Sequence, residues 1–271
     1  MTALPMPRSQ NRLWHDAPAF TGLALFIALT AIPLLAAAAI DSREFLNAPI
    51  WQKPLQFHLA LGIYALTLAF FARFLPTPMT SRKWRIYAGI VCAAILAELL
   101  WVGGAATYGT ASHFNTDDLA MGILYGIMGV FAVILTSASL VMGIAIARNP
   151  HTGLPSALHL SIALGLILTF VLTLIAAGTL SSMSGHLIGT PTSNASFPIL
   201  GWSREVGDLR VGHFFATHAL HVIPLVGLFA RRFSPSSGRL LVLAASAAYV
   251  VLVAATMIQA FQGHPFLPFI G

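Results

Sequence analysis

The chain has 271 residues, of which 57% are hydrophobic and only 8% charged, and its mean hydropathy is +0.83. Its apolar residues come in runs of about 20, the length that crosses about 30 Å of hydrocarbon, and such runs exclude an ordinary soluble domain. The net charge of +6 comes from basic residues scattered between these runs, with no stripe of interleaved aromatics, so nucleic acid is excluded as a partner.

Hydropathy predicts an all-α integral membrane bundle of about seven transmembrane helices, over 18–40, 54–75, 86–107, 119–147, 156–180, 210–230 and 239–260. Residues 1–17 read as a cytoplasmic arm and 18–271 as a single seven-helix domain with an outer loop at 181–209. With the N-terminus inside, ten basic residues fall in cytoplasmic segments, among them Arg8, Arg12, Arg73, Arg82, Lys83, Arg85 and Arg148. Four (Arg43, Lys53, Arg204 and Arg210) fall outside, and this asymmetry orients the chain N-in and C-out. The lipid bilayer is thus the first predicted partner. The single cysteine, Cys92, lies within the third span and rules out an intrachain disulfide.

Along the chain, the basic amino-terminal region followed by an apolar run could imitate a signal peptide, but the run is long enough to be retained as a helix. Pro33 is expected to kink that first span. Lys53 and Pro54 open the second, where a proline costs no helical hydrogen bond, and His58 follows about one turn deeper. Leu75 to Arg85 reads as a cytoplasmic loop resting beside anionic lipid.

The third span carries Glu98, the one acid placed inside the hydrocarbon, about 15 Å below the outer end of its helix at 1.5 Å per residue. A carboxyl group there must be protonated, paired, metal-bound or wet. The following SHFN segment sets His113 and Asn115 at the outer mouth, with Asp117 and Asp118 as caps for the fourth span. Gly122, Gly126 and Gly129 in that span suit close helix packing. His159 begins the fifth span on the cytoplasmic side and is set apart from any outer site. The loop at 181–209 is long enough to serve as a lid, and His186 belongs either to it or to solvent. The Asn194 to Ser196 match to a glycosylation motif is too short to carry weight.

The densest polar chemistry is Gly201 to Pro224, GWSREVGDLRVGHFFATHALHVIP. At about 100° per residue, His213 and His218 stand about 140° apart and His218 and His221 about 60°, so all three imidazoles can face one side of the sixth span. Imidazole suits zinc, copper, iron or haem, and a carboxylate can complete such a site. The predicted metal set is His113, His213, His218 and Glu98, with His213 and His218 as cofactor ligands. Glu98 and His113 are candidate catalytic groups, and Lys53, Asp208 and Arg210 are candidates for orienting a small polar or anionic ligand from the outer side. The alternative is a set of interhelical hydrogen bonds with Asp208 and Arg210 as an interfacial ion pair.

Three segments carry a resemblance: WQKPLQF at 51–57, SHFN at 112–115, and GWS followed by GDLRVGHF and HAL at 201–220. With them the chain resembles a family of small bacterial multi-span membrane proteins. The resemblance implies that Lys53, Glu98, His113, Asn115, Trp202, Ser203, Asp208, Arg210, His213 and His218 belong together, that His58 and His221 are not obligatory ligands, and that the protein resides in a bacterial inner membrane. It implies no particular activity. Metal- or haem-dependent redox or hydrolytic chemistry is the first expectation. A proton-coupled transporter or sensor is the second, and an accessory subunit of a larger membrane complex, its protein partners unspecified, the third.

Overall fold

The computed structural model describes residues 12–45, 48–115, 118–193, 195–233 and 236–268. Arg8, Asp117 and Asn194, assigned above to the arm, a cap and a glycosylation motif, lie outside the described residues. The fold is an all-α membrane bundle. Seven helices among the described residues are long and apolar enough to cross a bilayer, and each coincides with a predicted span. The chain divides into two compact units, Met1–Thr110 and Ala111–Gly271.

Among the described residues the first unit starts with a short helix, α1 (Arg12–Asp16), within the stretch read as a cytoplasmic arm. It is tied to α2 (Pro18–Ile40) by the Thr21 hydroxyl, which donates to the carbonyls of Leu13 and Ala17. Helix α2 runs unbroken through Pro33 and packs along α3 (Gln52–Phe71). Phe20, Ile27 and Leu68 are fully buried there, and Gly62 lets the helices close in, since a Cβ at 62 would lie 3.2 Å from Ile27. Between them, β1 (Glu44–Phe45) pairs antiparallel with β2 (Ala48–Pro49).

A polar clasp closes this end. Arg43 donates to both carboxylate oxygens of Asp41, the Trp51 indole N–H donates to Asp41 at 2.9 Å, and Arg43 reaches the Thr107 carbonyl, near the end of the third span, at 3.2 Å. The Arg43 fork, followed by the Trp51 donor, holds the Asp41 carboxyl well below the usual carboxylate range. Helix α4 (Arg82–Tyr108) ends at Gly109, whose φ of 70° is the left-handed conformation that glycine adopts freely. It starts four residues earlier than predicted, so Arg82, Lys83 and Arg85 form a helical turn rather than a loop. Backbone groups near the membrane gain by pairing internally, and this outweighs the cost of placing cations at the positive end of a helix.

The second unit holds α5 (Leu119–Ala147), α6 (Ser156–Ser181), α7 (Leu209–Phe233) and α8 (Gly238–Phe261). Asp118 caps α5 as expected, accepting the Met121 N–H at 3.0 Å. The α6–α7 pair is the tightest, because glycine stands wherever the backbones meet. A Cβ at Gly165 would lie 3.0 Å from the Ala219 carbonyl and 2.9 Å from the Pro224 ring, and one at Gly227 would overlap Ser161. His159 donates from Nε2 to the Ile146 carbonyl at 2.6 Å, pinning α6 to α5. Two short strands, β3 (Leu187–Ile188) and β4 (Gly207–Asp208), pair antiparallel with Leu187 opposite Asp208 and lead the chain into α7.

Candidate functional site

Helix α7 is the least apolar of the seven. Its entry is fixed by hydrogen bonds. Asp208, 1% exposed, accepts the backbone N–H of Ser203 at 3.1 Å and of Arg210 at 3.0 Å, while the Arg210 guanidinium closes on it through Nε at 2.9 Å and Nη2 at 2.6 Å. Arg210 also donates to the Gly201 carbonyl, and the Ser203 hydroxyl accepts the N–H groups of Glu205 and Val206. The GWS and GDLR segments therefore hold one another: the polar groups named in them turn the chain into α7.

Trp202 of the same loop is buried, with its ring 5.2 Å from Phe214 and 5.7 Å from Phe266. The loop thus folds onto the first turns of α7. Further out, the half-buried Glu205 accepts from the backbone and hydroxyls of Thr192 and Ser193. Those donors, the Ser193 hydroxyl first, lower its pKa to about 2.

Inside α7 the three histidines differ. The Nδ1 atom of His218 lies 2.7 Å from the Phe214 carbonyl, and a carbonyl can only accept, so Nδ1 carries the proton and the lone pair of the neutral ring sits on Nε2. The ring stacks on Phe214 at 3.9 Å, which fixes its plane, and its centroid lies 5.4 Å from that of His221. His213 stands one turn and a half nearer the helix start, and its Nδ1 is buried with no hydrogen-bond partner among the described residues. The backbone around this stretch is braced from both neighbours. The Thr169 hydroxyl on α6 accepts the Leu220 N–H at 2.7 Å, and Tyr249 on α8 donates to the Phe215 carbonyl at 2.7 Å.

At the start of this unit, His113 bonds Ser112 through Nδ1 at 3.1 Å, and its ring lies 5.6 Å from Tyr125. Phe114 takes a φ of 60°, costly for a bulky residue, and packs against Tyr125 at 5.9 Å and His186 at 6.4 Å. His186 is thereby part of an aromatic cluster with the SHFN segment. Asn115 donates to the Ala111 carbonyl at 3.4 Å.

Lys53, His58 and Glu98 belong to the first unit. Glu98 is 4% exposed, and its Oε2 has no hydrogen-bond partner among the described residues. The charge of Lys53 acts on it, and the Lys53 ammonium lies 6.0 Å from the Phe57 ring. His58 repeats the His218 pattern, with Nδ1 3.0 Å from the Pro54 carbonyl.

Of the predicted metal set, His113, His213 and His218 thus fall in one unit and Glu98 in the other. Among the described residues no group of three or more His, Cys, Asp or Glu side chains is placed to hold a metal ion. The residues that sequence reading missed are Thr169, Tyr249, Phe214 and Tyr125. Only Phe214, four residues before His218, carried a signal, since that spacing puts its carbonyl beneath the imidazole. No protein-family model matches the chain, nor does any curated protein or solved structure.

Proposed function

We propose that this is a multi-pass protein of a bacterial inner membrane that binds a small polar or anionic ligand from the outer side and couples that binding to proton uptake by the histidines of α7. One observation carries the reading: His218 donates from Nδ1 to the Phe214 carbonyl, which presents Nε2 as a base held in a fixed plane beside His221. Asp208 and Arg210 act by positioning α7, since their charges are spent on one another and on the loop backbone. Glu98 is a second proton-holding group, in the first unit.

The test is an acid pulse applied to proteoliposomes containing an internal pH dye, with acetate or inorganic phosphate as the probe anion outside. Proton entry that needs one of these anions and is lost in His218→Gln supports the reading. Entry no faster than in empty vesicles with either anion contradicts it.

A second reading, metal- or haem-dependent redox or hydrolytic chemistry, is favoured by the same hydrogen bond, because an imidazole that donates from Nδ1 to a carbonyl is oriented to ligate through Nε2. An optical spectrum and elemental analysis of the purified protein separate the two. A Soret band, or a stoichiometric transition metal, lost in His218→Ala would establish the second reading.

A further inference from the structure

The opening turn of α4 holds three cations, Arg82, Lys83 and Arg85, all exposed, and no acid. None has an ion-pair partner among the described residues. The Ser81 side chain makes no capping hydrogen bond, and the first turn carries no acid of its own. Like charges therefore accumulate at a helix end that favours negative groups. Beside this turn lies a shallow, open surface depression bounded by Arg82, Arg85 and Ile86.

The surface below continues in a pattern that suits a lipid. Ile86 and Ile90 follow Arg82 at successive four-residue steps, so the three share one helix face, and both isoleucines are about half exposed. Gly89 follows Arg85 by four, and a Cβ there would meet nothing within 4 Å. A shallow apolar track thus runs from the cationic hollow towards the middle of the span. Trp84 and Tyr87, with rings 6.1 Å apart, add the aromatic pair that favours the headgroup level.

We propose that this hollow binds the headgroup phosphate of an anionic phospholipid, with Arg82 and Arg85 as its donors and one acyl chain lying along Ile86, Gly89 and Ile90. Paired guanidinium groups suit phosphate oxygens, and the basic side of the protein faces the leaflet whose anionic lipids attract such clusters. The apolar track selects a lipid over a soluble phosphate, since only a lipid brings a chain to fill it.

The experiment measures phosphatidylglycerol retained, after mild delipidation, by protein taken from nanodiscs of phosphatidylcholine doped with phosphatidylglycerol, using native mass spectrometry. The wild type should retain phosphatidylglycerol selectively. The exposed double variant Arg82→Gln/Arg85→Gln should lower that affinity roughly 30-fold, as expected for two cations at a membrane surface. Arg231→Gln/Arg232→Gln removes the same charge from the end of α7 and should leave retention unchanged, while Ile86→Trp fills the hollow without altering charge and should weaken it. Equal loss in the two double variants would reduce the effect to diffuse attraction and overturn the site. So would full retention in Arg82→Gln/Arg85→Gln or in Ile86→Trp, or displacement of the lipid by inorganic phosphate, which would make the hollow a site for a soluble anion.

Discussion

The Thr169 hydroxyl accepts the backbone N–H of Leu220 at 2.7 Å, a side chain of α6 bonded to the main chain of α7 within the histidine stretch. Both residues are buried, Thr169 at 2% and Leu220 at 0% exposure. Pro224, four residues on, brings no N–H for the Leu220 carbonyl, so α7 is weakened at the turn that Thr169 braces. Thr169→Val keeps the shape and removes the acceptor, while the Leu220 N–H keeps its place in the helix. It should cost about 0.5–1.5 kcal/mol, the net worth of one hydrogen bond, and thermal unfolding in detergent would show it, with Thr169→Ser close to wild type.

Glycine at 227 is required by contact rather than by backbone conformation. A Cβ there would overlap the Ser161 side chain, so Gly227→Ala should destabilise by about 1–3 kcal/mol as an overpacked interface. Adding Ser161→Gly removes the obstructing atoms. The double variant should recover part of the lost melting temperature, whereas a purely local effect at 227 would give no recovery.

Asp208 collects two backbone N–H groups and the Arg210 fork at almost no exposure. Asp208→Ala should cost about 2–4 kcal/mol, less than a fully buried pair because Arg210 retains some solvent. The loss should come with increased protease sensitivity in 196–208, the loop those bonds secure. If the residue instead served only a ligand, stability and loop protection would stay at wild-type values.

Acid should release the outer loop at Glu205. Its pKa is lowered from 4.5 to about 2 by the Ser193 and Thr192 donors, so the folded loop favours the charged form. The resulting stabilisation is fully present above about pH 4.5 and is lost as pH falls through about 2. The protection of the Thr192 and Ser193 amides, taken relative to the intrinsic exchange rate at each pH, should fall across that window in the wild type. Glu205→Gln should show lower protection already at neutral pH and little further change on acidification.

The spans were legible because each apolar run is long enough to cross a bilayer and is bounded by polar residues or proline, and the observed helices differ from prediction by a few residues at most. The start of α4 was missed because three cations in four residues read as a solvated loop, although the backbone there is helical. The GWS and GDLR segments were legible as a unit, and the ion pair weighed for Asp208 and Arg210 is present. Which residues brace α7 was not legible. Thr169 and Tyr249 are single polar residues in apolar spans, and nothing local shows that their partners are backbone groups 51 and 34 positions away. The His218 tautomer was also out of reach, since the four-residue spacing brings the Phe214 carbonyl within range but the 2.7 Å approach also needs a particular rotamer.

Proton uptake as proposed needs His218 Nε2 as the accepting atom, and nitrogen-15 NMR of histidine-labelled protein in lipid observes that atom directly. The expected spectrum holds a neutral, Nδ1-protonated histidine signal that is absent in His218→Gln and converts to imidazolium when the outer solution is acidified. Assignment of His218 to the Nε2-protonated tautomer, or a neutral signal unchanged by acid, would contradict it.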